Sequence, residues 1–201
     1  MTRKITLLLS LLALTIFAAC SNGHPDGPPM ATRAEIAELE QGILKLGPGV
    51  DPDEAHRAAQ IAYNYTYQLA QEYQITDPPL IHNIKVNQGL RPRGLCWHWA
   101  EDMETRLKQE DFKTLQLHRA IANSDSRILI DHSTAIVSRR GDTMEQGMVI
   151  DPWRQAGVLF WSPLLKDTRY TWVPRMVVLN KRAAELGYIR TDSSSEPLPA
   201  S

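Results

Sequence analysis

The apolar residues of this chain change their spacing at Glu110, and that change sets the fold class. Before it they recur at helical intervals. Thr32 and Glu35 form a capping box, and Ile36, Leu39, Ile43 and Leu46 follow before Gly47-Pro48-Gly49 stops the helix. Asp51-Pro52-Asp53-Glu54 opens a second helix, with Ala55, Ala58, Ala62, Tyr65 and Leu69 as its stripe, ending before Asp77-Pro78-Pro79. Leu80–Pro92 has no clear period and reads as loop with a short strand. Gly94–Lys108 returns to helical spacing through Leu95, Trp99, Met103 and Leu107. After Glu110, Leu115–Ala122, Ile128–Arg139, Met148–Asp151 and Val158–Trp161 read as strands, with a weaker one at Arg169–Val173 and a short helix at Asn180–Leu186. Helices first and antiparallel strands after predict an α+β fold, with N-terminal helices packed on the sheet.

Composition agrees with one globular domain: 43% of the 201 residues are hydrophobic and 22% charged. The formal charge of −1, from 22 basic and 23 acidic residues, argues against nucleic acid as a partner.

The N-terminus reads as an export signal. Arg3 and Lys4 precede the uncharged run Ile5–Phe17, which is shorter than a bilayer span and of signal-peptide length. Phe17-Ala18-Ala19-Cys20 resembles the bacterial lipoprotein box, with Phe17 standing where Leu is usual. That resemblance implies cleavage after residue 19, acylation of Cys20 and membrane anchoring through it. Ser21 in the sorting position implies the outer membrane, facing the periplasm. Residues 20–32, rich in Gly and Pro, are expected to form a tether, 33–190 the domain and 191–201 a polar tail. Loss of Arg3 and Lys4 takes the formal charge from −1 to −3. Cys96 is then the remaining thiol.

Cys96 follows Arg91-Pro92-Arg93-Gly94 at the first turn of a predicted helix, where free N–H groups and the dipole favour a thiolate. A small buried core residue is the equal alternative there. Among six histidines, His98 is the nearest, but two positions on a helix set it about 200° around from Cys96. His132 shares a strand face with Ile128, Ile130, Thr134 and Ile136, and Asp151 ends the following strand. Taken singly, these read as a core histidine and an Asp-Pro turn. Taken together, the carboxylate could orient the imidazole and the imidazole activate the thiol.

Thiol at a helix start, histidine on the next hairpin and acid in a Val-x-Asp-Pro run resemble the transglutaminase-like superfamily, related to papain-type cysteine proteases. The motifs here are Gly94-Leu95-Cys96-Trp97, Asp131-His132-Ser133 and Val149-Ile150-Asp151-Pro152. The resemblance implies a transglutaminase-like core over roughly residues 50 to 175 and a Cys96, His132, Asp151 triad. It also implies an upstream amide as oxyanion donor, for which Gln88 is the candidate, Asn87 being next to it. Ser133-Thr134 departs from the aromatic that many members place after the histidine. Trp97, Trp99, Trp153 and Trp161 could line a groove, although Trp99 shares the helix stripe and reads as core.

The function expected is thiol acyl transfer on a peptide or amide in the envelope. Water as acceptor gives a peptidase or amidase, and an amine gives a transglutaminase. That chemistry calls for no cofactor and no metal. The alternatives are an inactive member of the same fold acting as a binding or structural protein, and a zinc site from Cys96, His98 and His118 or His132.

Overall fold

The computed structural model describes residues 23–188, so the signal segment, Cys20 and the polar tail lie outside the described residues. Helix α1 (Arg33–Leu44) starts at the expected box, where Glu35 N donates to Thr32 Oγ1 at 3.2 Å and Thr32 N to Glu35 Oε2 at 2.7 Å. Helix α2 (Pro52–Glu72) is capped by Asp51 Oδ1, which accepts from Asp53 N at 2.8 Å and Glu54 N at 3.0 Å. Its buried Ala55, Ala58, Ala59 and Ala62 let neighbouring elements approach closely. Helices α3 (Pro79–Asn87) and α4 (Cys96–Lys108) complete the first half.

Strands β1 (Leu115–Ala122), β2 (His132–Arg139), β3 (Met148–Gln155), β4 (Val158–Pro163) and β5 (Val173–Pro174) form one antiparallel sheet ordered β4-β3-β2-β1-β5, and helix α5 (Arg175–Glu185) follows. The described fold is thus α+β, with five helices and a five-stranded antiparallel sheet. One sheet face buries Ala135, Val137, Met148 and Ile150 with Met103 and Leu107 of α4 and Leu39 and Ile43 of α1. The opposite face buries Ile136, Val149 and Ala120 with Leu164 and Trp172 from the segment after β4. A third cluster joins Leu69, Tyr73 and Ile75 to Cys96, Trp99 and Trp153 at the end of the sheet.

The structure corrects several boundaries. Leu80–Pro92 holds a helix rather than loop and strand, and Gly89 at φ 73° closes it, with Leu90 N donating to Lys85 O at 2.8 Å. Its inward residues include His82 and Asn83 while Leu80, Ile81 and Ile84 face out, so no inward apolar stripe announces it. Strand β2 begins at His132, not Ile128. Ser126 Oγ accepts from Ile128 N at 3.2 Å and Leu129 N at 2.9 Å, which takes those amides out of strand pairing. Strand β3 continues past Asp151 to Gln155, and the last helix starts at Arg175 rather than Asn180. The Gly- and Pro-rich stretch before α1 does not hang free where it is described. Pro28 is buried, lying where a Cβ on Gly157 would meet it at 2.9 Å.

Candidate active site

Cys96 is the first residue of α4, and its N–H and that of Trp97 donate to no protein atom among the described residues. The thiol is 7% exposed and donates to Asp131 O at 3.5 Å, which sets the start of α4 against the start of β2. His132 opens β2 on the face that also carries Thr134 and Ile136. Ile136 pairs with Val149, so alternation puts Asp151 on that same face. His132 Nε2 meets Asp151 Oδ2 at 2.6 Å, with both side chains 1% exposed. His132 Nδ1 is buried and has no hydrogen-bond partner. It is therefore the ring nitrogen left to exchange a proton with a sulfur. Burial opposes charge on His132, but Asp151 and then the Cys96 sulfur outweigh it, and its pKa is pushed up to about 9. Burial likewise opposes charge on Asp151, and His132 and Arg154 overcome this to hold its carboxyl below the usual range.

Four residues that sequence reasoning missed complete the surroundings. Arg154 Nε donates to Asp151 Oδ2 at 2.9 Å, and Arg154 Nη1 and Nη2 donate to Asp167 at 3.0 and 2.7 Å. Asp167 Oδ2 also accepts from Trp172 Nε1 at 3.0 Å. The rings of Tyr170, Trp153 and Trp172 lie 4.6, 4.7 and 5.3 Å from that of His132. Asp-Pro-Trp-Arg puts Arg154 three residues past Asp151, a readable spacing. Asp167, Tyr170 and Trp172 arrive from a loop without a motif.

Other expectations fare differently. Gln88 lies in the exposed turn after α3, its side chain without a hydrogen bond among the described residues, and nothing ties it to Cys96. Asn83, one turn earlier, accepts from Trp153 Nε1 at 3.1 Å and so stands nearer the histidine through that indole. His98 Nδ1 accepts from Gly94 N at 3.1 Å and Leu95 N at 3.2 Å, capping α4. His118 Nε2 bonds Ser138 Oγ at 2.8 Å. Among the described residues no three His, Cys, Asp or Glu side chains gather as metal ligands, so the zinc alternative finds no ligand set. Arg93, three residues before Cys96, pairs with Asp102 at 2.9 Å. Of the tryptophans, Trp99 is core, Trp161 donates to Tyr63 OH at 3.0 Å, Trp153 lies against His132, and Trp97 is 47% exposed beside Cys96.

What the arrangement can do is nucleophilic acyl transfer: a thiol at a helix start, an imidazole with one nitrogen free, and a buried carboxylate on the other nitrogen. No helix of the described residues is long and apolar enough to cross a membrane. No protein-family model matches the chain, and neither a curated protein nor a solved structure matches it.

Proposed function

We propose that this chain is an envelope lipoprotein, anchored through Cys20, whose Cys96, His132 and Asp151 carry out thiol acyl transfer on a peptide or amide. The observation that carries this reading is His132, held by Asp151 on Nε2 with Nδ1 free and raised to about 9. Such an imidazole keeps its proton at neutral pH, with its Nδ1–H available to a sulfur that attacks as the anion. The sulfur attacks the amide carbonyl, forming the S–C bond. The free N–H groups of Cys96 and Trp97 face the developing oxyanion. His132 then gives its proton to the leaving amine as the C–N bond breaks, leaving a thioester. Water or an amine, deprotonated by His132, releases the acyl group and restores the thiol. Chain order, helix start and strand positions support assigning the body to the transglutaminase-like superfamily.

The burial of His132 and Asp151 favours a second reading, an inactive member of that superfamily that binds an envelope component. Mass spectrometry after rapid acid quench, with a library of acyl-blocked peptides as substrates, separates the two. Acyl transfer predicts an adduct on Cys96 that hydroxylamine removes and that Cys96→Ser lacks. No adduct and no product from any peptide, with the fold intact, would support the binding reading.

A further inference from the structure

The exposed face of α3 has a composition opposite to that of an ordinary surface helix. Leu80, Ile81 and Ile84 are 58%, 45% and 51% exposed, and Leu90 just beyond the helix is 61% exposed. On α3 the three residues occupy one face, at spacings of one, three and four. The side turned to the protein is polar. His82 Nε2 bonds Arg93 O at 2.9 Å, and Asn83 takes the Trp153 indole. A helix that buries amide and imidazole while showing Leu and Ile to the outside has the pattern of a face that meets a partner.

Two observations identify the partner. The described chain begins at Gly23, where an added Cβ would fall 2.9 Å from Pro78 Cδ and 3.1 Å from Thr76 O, at the foot of α3. Cys20 is three residues earlier, within a covalent reach of about 11 Å of that point. Of the cations in residues 77–93, Lys85 pairs with Asp77 and Arg93 with Asp102, which leaves Arg91, beside Leu90, without an ion pair among the described residues. Apolar residues with an uncompensated arginine beside them, next to the point where a lipid anchor would attach, suit an anionic bilayer surface.

We infer that the outward face of α3 docks on the anionic lipid surface to which Cys20 anchors the chain, holding the body in one orientation. This rests on the lipoprotein reading but not on acyl transfer. In that orientation the inner side of α3 meets Arg93 and Trp153, so the docked helix lies between bilayer and nucleophile.

The test places nitroxides at Leu80→Cys, Ile84→Cys and, as an exposed apolar control 93% accessible in the β1–β2 connection, Ile128→Cys. The acylated full chain carries Cys96→Ser and sits in phosphatidylethanolamine–phosphatidylglycerol vesicles. Positions 80 and 84 should be relaxed by oxygen more than by an aqueous nickel complex, and 128 the reverse. Water-like behaviour at 80 and 84, or lipid contact at 128 alone, overturns the inference. A second arm does not use the anchor. The processed chain with Cys20→Ser should float with the same vesicles, and Leu80→Asp/Ile84→Asp should lower the bound fraction about tenfold with circular dichroism unchanged. Flotation that survives the double substitution, or is absent in the parent at millimolar lipid, contradicts it. Absence of thioester chemistry in Cys96-containing protein leaves both arms intact, so the two proposals fail separately.

Discussion

His132 has its charge stabilised in the folded protein, and this makes stability depend on pH in a definite direction. Its folded pKa of about 9 lies above the ordinary value of 6.5. The contribution is full below about pH 6.5 and is lost as pH rises through about 9. For a buried pair the size is at most about 3 kcal/mol. Asp151 acts at the other end: its lowered pKa gives stability above the ordinary carboxylate range that disappears on acidification. Both describe one buried pair and are not summed. Urea unfolding should therefore show wild type losing stability between pH 6.5 and 9, and Asp151→Asn nearly flat there. A wild-type curve as flat as that of Asp151→Asn would mean His132 is uncharged in the fold. At this scale Cys96, His132 and Asp151 were legible because period-two alternation and a helix start are local signals. Asp167 was not, since its partner Arg154 sits across an irregular turn, and a lone Asp before Thr-Arg reads as any loop acid.

The elements position those residues through close backbone contacts. Gly94 stands at φ 120°, and a Cβ there would fall 2.4 Å from His82 Nε2. This glycine lets the chain pass under α3 into α4 while His82 holds Arg93 O. Gly94→Ala should cost on the order of 2 kcal/mol by urea unfolding. It should also slow alkylation of Cys96, because the start of α4 must shift. A variant as stable and reactive as wild type would show the passage to be loose. Helices α1 and α2 were legible from capping residues and an inward stripe, α4 from its stripe, and β1, β3 and β4 from alternation. Helix α3 escaped because its apolar residues are few and point out, while His82 and Asn83 turn inward. The start of β2 was misplaced for a related reason. Ile128-Leu129-Ile130 are strongly β-forming, yet Ser126 captures two of their amides and they stay exposed.

At the scale of the molecule, two layers meet at one end. Helices pack on one sheet face and the segment after β4 covers the other. Cys96 comes from the helical layer and His132 from the sheet's end, while Tyr170 and Trp172 close over the imidazole from the far face. The reading stands on whether that junction joins thiol and imidazole in one functional pair. Iodoacetamide alkylation of Cys96 at pH 6, in wild type, His132→Ala and His98→Ala of verified fold, tests this directly. His132, protonated at that pH, should turn its positive charge to the sulfur and speed its attack. Wild type should alkylate readily, His132→Ala at least about tenfold more slowly, and His98→Ala nearly as wild type. A wild-type thiol inert at pH 6, or a rate that follows His98 instead of His132, would contradict the account.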